Sequence, residues 1–152
     1  IDSAEKARAV LALTGAAGVM VGRAAQGQLW LPGAIASALS AGDEGAGAPS
    51  LSEQLRLQSE HLLRLHDFHG DHLGPRIARK HQAWLLESLT AQRALSAEDA
   101  RAWRQAFNRI ESAEEQIVCL REMTDALMSA VSATAPTSQM SPPMCPQMLV
   151  AA

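Results

Sequence analysis

The chain has 152 residues, of which 47% are apolar and only 3% aromatic, so leucine and alanine must supply most of its core. This length allows one domain, or a piece of a larger domain joined to a small second one. The formal net charge of -3 excludes a protein that is basic over its whole surface, but it leaves room for a local basic patch.

The sequence gives no sign of a membrane or secretory protein. Apolar runs stay below the roughly 20 residues that a membrane-spanning helix needs, and the chain opens without a signal peptide. The two cysteines, Cys119 and Cys145, have no spacing typical of a metal site or a disulfide framework. We therefore expect a cytoplasmic protein that does not associate with a membrane.

Residues 1–39 predict a helix, a strand, a glycine turn and a second helix, in that order. The first helix covers 3–13 with Ser3 as its N-cap, and the second begins at Pro32. Between them, the apolar run 18–21 is too short for a helix and predicts a buried parallel strand. This order is typical of the end of an α/β repeat, but one strand forms no sheet. We therefore interpret the chain as a fragment of a larger protein.

The turn at Gly22, Arg23 and Ala24 indicates a phosphate site. A glycine lets the backbone approach a phosphate closely, and the start of a following helix offers unpaired N–H groups. Arg23 adds a planar, permanently charged guanidinium group that suits phosphate. The same junction is also common as an ordinary turn that binds no ligand, so the rest of the chain decides between the two interpretations.

A flexible linker is predicted for 40–50, where three glycines cluster, and we place a domain boundary there. Ser50 with Glu53 forms a capping box that opens a wholly helical pattern, with a break at Gly70 and a new start at Pro75. The predicted helices cover about 50–69, 75–89, 96–110 and 112–128, and they form a small bundle over 51–132. Residues 133–152 are rich in Pro, Ser, Thr and Met and predict a disordered tail.

A basic helical face is predicted for Arg76, Arg79 and Lys80, which are spaced i, i+3 and i+4. Three fixed cations on one face can contact a nucleic-acid backbone. The alternative is an ordinary solvated helix face, and the spacing alone favours that alternative. His81 is expected to point inward and to form a hydrogen bond.

Several other polar and aromatic residues are expected to pack rather than to react. The histidines His61, His66, His69 and His72 lack cysteine or carboxylate partners at ligand spacing, so no metal site is predicted. Cys119 has no activating neighbour and is expected to be a packing thiol. The tryptophans Trp30, Trp84 and Trp103 are expected to anchor the core rather than to stack on bases.

Taken together, these stretches resemble the C-terminal part of bacterial tRNA-dihydrouridine synthases, and the B-type branch in particular. The likeness covers residues 1 to about 125. The matching stretches are Ile1–Ser3, Glu5–Ala7, Val21–Gly27 with Trp30, Gly74 with Arg76–His81 and Trp84, and Phe107–Glu111.

The resemblance implies a mainly α chain: the last βα portion of a TIM (β/α)8 barrel, followed by a small helical bundle. In that family the barrel binds FMN, and NADPH is used to reduce a uridine in tRNA to dihydrouridine. Residues 1–39 would end the barrel, with Gly22, Arg23 and Ala24 at the FMN phosphate. Arg76, Arg79 and Lys80 would contact tRNA. The full-length protein is expected to be a monomer.

The resemblance also implies what this chain lacks. The family's catalytic cysteine is expected upstream, because neither Cys119 nor Cys145 matches its context, so the chain alone is expected to be catalytically silent. One alternative is a stand-alone helical RNA-binding module without catalysis, which leaves residues 1–39 without a role. Another is a different FMN-binding barrel with the same phosphate loop, which the helical second domain argues against.

Overall fold

The computed structural model describes residues 1–42 and 47–134, and these residues form an all-helical structure. The helices are α1 (Ala4–Thr14), α2 (Leu31–Ala41), α3 (Leu51–Ala91), α4 (Ala97–Arg109) and α5 (Ala113–Thr134), with a short 3-10 turn at Arg23–Ala25. None of these helices is both long enough and apolar enough to cross a bilayer.

Helices α1 and α2 pack against each other at the N-terminal end of the chain. The predicted N-cap is confirmed, since the Ser3 hydroxyl accepts a hydrogen bond from the Lys6 amide at 3.1 Å. Gly15 ends α1 with a left-handed φ of 65°. The Arg8 guanidinium crosses to α2 and donates to the Ala38 carbonyl at 2.9 Å. The buried residues of this pair are Ala4, Ala7, Ile35 and Ala38.

The predicted strand at 18–21 is wrong. The described residues contain no strand, and 18–21 lie in an irregular segment in which Met20 is 84% exposed. A strand is held by hydrogen bonds to a neighbouring strand. The described part of the chain contains no neighbouring strand, so this apolar run has no partner with which to form strand hydrogen bonds.

The four predicted bundle helices are confirmed, but the first two appear as the halves of one kinked helix. Helix α3 folds back on itself at Gly70, whose φ of 71° is left-handed. The halves run antiparallel, as the hydrogen-bonded pairs Gln54–Gln92 and Gln58–Gln82 show. Helices α4 and α5 pack on this hairpin. The core includes Leu55, Leu62, Leu85, Leu86, Leu89, Phe107, Leu120 and Met123.

The ends of several elements differ from their predicted positions. The second half of α3 is already helical directly after Gly70, so Pro75 lies within the helix rather than at its start. Helix α5 extends to Thr134, two residues into the segment predicted as a disordered tail. The remainder of that segment, 135–152, and residues 43–46 of the predicted linker lie outside the described residues.

Candidate nucleic-acid interface

The three cations of the predicted basic face line one open groove, which has a volume of about 510 Å³. We call this the basic groove. One wall is the second half of α3 and the other is α4. The lining residues are Arg76, Arg79, Lys80, Ala83, Trp84 and Glu87 from α3, and Arg104 and Asn108 from α4. The helical spacing correctly predicted that Arg76, Arg79 and Lys80 share one face of α3.

The cations of α3 are held in different ways. Arg76 is exposed, and the ammonium group of Lys80 lies over the Trp84 ring, 4.9 Å from its centroid. Arg79 is half-buried, and its Nη2 atom donates to the Ile110 carbonyl at 3.1 Å. The Arg79 Nε atom is buried and has no hydrogen-bond partner among the described residues.

The α4 wall of the basic groove was missed at the level of sequence. Arg104 and Asn108 are spaced i and i+4, on a face of α4 next to the one that carries Trp103 and Phe107, and that spacing was an available signal. Arg104 also forms an ion pair with Glu87 across the groove, with an Nη1–Oε1 distance of 3.3 Å. Both side chains are well exposed, so this pair contributes little to stability.

The predicted phosphate site at Gly22, Arg23 and Ala24 forms the start of a single 3-10 turn. Its first amide to bond within the turn is that of Ala25, which donates to the Gly22 carbonyl at 3.0 Å. The amides of Arg23 and Ala24 come earlier in the turn than this first hydrogen bond. The space beside Gly22 is open, because a Cβ atom there would meet no atom within 4 Å. Two amides and a guanidinium group in open space suit a phosphate group.

The 3-10 turn borders a second groove of about 370 Å³ between the N-terminal region and α3. Arg23, Gln28 and Trp30 line one side, and Trp84 and Ser88 line the other. Trp84 therefore lies in both grooves. Glu87 also lines both grooves, so the two predicted sites share these two neighbouring residues of α3.

A pair of histidines packs behind Trp84. The Nε2 atom of His61 lies 2.9 Å from the Nδ1 atom of His81, and the His81 ring meets the Trp84 ring edge-on. Burial lowers the pKa of both imidazoles, and the charges of His61, Lys80 and His69 lower that of His81 further. The predicted hydrogen bond of His81 is thus confirmed.

The other predicted packing residues have mixed outcomes. All three tryptophans are half-buried, but only Trp103 packs against the core, whereas Trp30 and Trp84 line grooves, so the core prediction holds for Trp103 only. Cys119 is 7% exposed, and burial, aided by the charge of Glu122, raises its pKa, as expected for a packing thiol. The described residues contain no group of three or more His, Cys, Asp or Glu side chains placed to hold a metal ion.

Comparison with known proteins gives one consistent family. The family model described as dihydrouridine synthase (Dus) matches residues 1–132. The tRNA-dihydrouridine synthase B of Vibrio cholerae is 42% identical over 129 residues, which are 85% of this chain and 37% of that protein. The corresponding protein of Pseudomonas syringae pv. tomato is 46% identical over 122 residues, or 80% of this chain and 34% of the relative.

A further relative, the tRNA-dihydrouridine synthase B of Pectobacterium carotovorum, is 44% identical over 121 residues, or 80% of this chain and 35% of its own length. The chain thus spans about a third of the length of the curated relatives it matches. The matched residues 1–132 include every residue that lines the two grooves, and they extend into each of the described helices. The chain belongs to the dihydrouridine synthase family.

Proposed function

We propose that this chain is part of an FMN-dependent tRNA-dihydrouridine synthase, which reduces a uridine in tRNA to 5,6-dihydrouridine with NADPH in the cytoplasm. The names of the relatives support the reaction and the substrate. In this proposal, residues 1–39 complete an FMN-binding barrel, and 51–132 form a tRNA-binding domain. FMN, when bound, carries the reducing equivalents to the uracil ring.

The basic groove is the observation that carries the proposed contact with tRNA. The whole chain has a formal net charge of -3, yet four of its cations line this one groove. Concentrated cations attract a phosphate backbone even when the net charge of the protein is negative. Trp84 adds an aromatic floor beneath Lys80, a combination that suits RNA.

The 3-10 turn is proposed to contribute one contact to the cofactor. The Arg23 guanidinium and the free amides of Arg23 and Ala24 would hold the terminal phosphate of FMN. The turn has only three residues, so its dipole is small and the charge of Arg23 supplies most of the attraction. Because Trp84 borders both grooves, the cofactor phosphate and the tRNA backbone would be held on either side of it.

A stand-alone helical RNA-binding module without catalysis is the second candidate function. The observation that favours it is that the basic groove is built entirely from α3 and α4. In that case Arg23 has no ligand to bind. Arg23→Ala would then leave tRNA binding unchanged and FMN would not bind, whereas the first proposal predicts that the same change weakens the affinity for FMN in a full-length synthase that carries this region.

The tRNA contact is tested by charge reversal in the full 152-residue chain. Binding of an unmodified tRNA transcript is measured by filter retention for the wild type and for Arg76→Glu/Lys80→Glu. The control is Arg64→Glu/Arg121→Glu, which makes the same change in net charge on exposed residues away from the groove. We expect the groove variant to lose roughly tenfold or more in affinity at low salt. Equal affinity for the two variants would contradict the tRNA contact.

A further inference from the structure

We propose that the buried Gln116 is a positioning residue for the basic groove. It holds the carbonyl group of Ile110, to which the Arg79 guanidinium is bonded, and so determines where Arg79 presents its charge. This inference rests on the proposed function, since it concerns how the groove meets an RNA phosphate.

Gln116 lies in the first turns of α5 and has no exposed surface. Its Nε2 atom donates to the Pro75 carbonyl at 3.1 Å and to the Ile110 carbonyl at a longer 3.4 Å. Carbonyl groups only accept hydrogen bonds, so the two neighbours determine the orientation of the amide. The Oε1 atom therefore faces the Nε2 atom of His66, at 3.0 Å, and His66 must carry its hydrogen on that nitrogen.

These bonds join three parts of the bundle at one side chain. His66 lies before the kink of α3, Pro75 lies after it, and Ile110 caps the C-terminal end of α4. The hairpin closes tightly here, because a Cβ on Gly74 would come 3.1 Å from the His66 Cα atom. Removing the Gln116 amide would take one donor from each of the Pro75 and Ile110 carbonyls, leave the buried His66 Nε2 atom without its acceptor, and loosen the turn between α4 and α5.

The Ile110 carbonyl matters because Arg79 lines two cavities, and only the second of them also contains the carboxylates Asp71 and Glu111. The first is the basic groove. The second is a smaller, polar cavity of about 200 Å³. The bond to Ile110 restrains the Arg79 guanidinium between them. Without that bond, the two carboxylates would attract the guanidinium away from an RNA phosphate.

The test measures the salt dependence of tRNA binding, which reports the number of phosphate contacts. Gln116→Met removes no charge. We nevertheless expect it to reduce the magnitude of the slope of log K against log salt, where K is the association constant for tRNA, by about 0.7–0.9, which corresponds to the loss of one phosphate contact. Arg79→Ala is expected to reduce the slope by the same amount. The double variant Gln116→Met/Arg79→Ala is expected to reduce it no further. The matched control is Gln58→Met, since Gln58 is equally buried but bonds to Gln82, away from Ile110.

If Gln116 had only a structural role, both glutamine variants would melt at a lower temperature and both would keep the wild-type salt slope. That result would overturn the positioning role. Wild-type binding without salt dependence would instead contradict the proposed tRNA contact itself, so the two failures are distinguishable. The expected result is a normal slope for Gln58→Met and a reduced slope for Gln116→Met.

A second pair of variants decides the question if Gln116→Met does not fold. His66→Gln keeps an N–H donor for the Gln116 Oε1 atom, whereas His66→Leu removes it. We expect a wild-type slope for His66→Gln and a slope reduced by about one contact for His66→Leu. A wild-type slope for a folded His66→Leu would overturn the proposal.

Discussion

Gly27 packs directly against the backbone of Trp84, so the loop that carries Arg23 is docked on the helix that carries Lys80. A Cβ atom on Gly27 would overlap the Trp84 carbonyl oxygen, and it would lie 2.7 Å from the carbonyl carbon and 2.9 Å from the Ser88 Cβ atom. Gly27 also has a φ of 73°, which disfavours any other residue. This contact fixes the proposed FMN phosphate site relative to the basic groove.

Gly27→Ala is expected to lower the free energy of unfolding by about 1–3 kcal/mol, because it adds a steric overlap to a left-handed backbone. Chemical denaturation measures the change. The matched control is Gly33→Ala in α2, where a Cβ would meet no atom within 4 Å; a better helix former there is expected to be neutral or stabilising by up to about 1 kcal/mol. Equal stability of the Gly27 variant and the wild type would show that the loop does not dock as described.

The two phenylalanines give a sharp test of the core. Phe107 is 1% exposed within the core of the bundle, whereas Phe68, near the kink of α3, is 83% exposed. Phe107→Ala is expected to cost roughly 3–5 kcal/mol through lost burial and a cavity. Phe68→Ala is expected to change stability by less than about 0.5 kcal/mol. Thermal unfolding measures both, and similar melting temperatures would contradict the packing of α4 on α3.

The histidine pair predicts a loss of stability in mild acid. Burial lowers the pKa of His61 and His81 from the ordinary value of 6.5, so below that value the unfolded chain binds more protons than the folded one. Their contribution is therefore present above 6.5 and is lost as the pH falls through the lowered pKa values. A second proton would also remove the acceptor of the His61–His81 hydrogen bond.

The measurement is the melting temperature between about pH 7.5 and pH 5. The melting temperature of the double variant His61→Gln/His81→Gln is expected to fall less steeply with acidification than that of the wild type. His72→Gln, which removes an exposed imidazole, is expected to follow the wild-type curve. Parallel curves for the wild type and the double variant would contradict the account of the pair.

The helices were predictable from sequence because their signals are local. The Ser50 hydroxyl accepts a hydrogen bond from the Glu53 amide, as its capping box predicted, and the Ser96 hydroxyl accepts one from the Asp99 amide at the start of α4. Gly70 breaks the helix as expected, through its left-handed φ. The prediction of a strand at 18–21 failed because strand formation depends on pairing partners elsewhere, which a local apolar run does not reveal.

The candidate site was predictable only where one element carries it. Arg76, Arg79 and Lys80 share a helix, so their spacing predicted that they lie on one face, although it did not predict the groove that they line. The contribution of Arg104 depends on how α4 packs across α3, and the bond from Arg79 to Ile110 depends on where α4 ends. Such relationships arise from tertiary packing, which a helical period does not encode.

The most direct test of the central claim is a chimera. In the Vibrio cholerae tRNA-dihydrouridine synthase B, the 129-residue region that matches this chain is replaced by the corresponding residues of this chain. The chimera is produced in bacteria that lack dihydrouridine synthase genes, and the dihydrouridine content of their tRNA is measured by mass spectrometry. We predict that the chimera restores dihydrouridine, and that Arg76→Glu/Lys80→Glu reduces it whereas Arg64→Glu/Arg121→Glu does not. A chimera that accumulates as a folded protein and yields no dihydrouridine would contradict the claim.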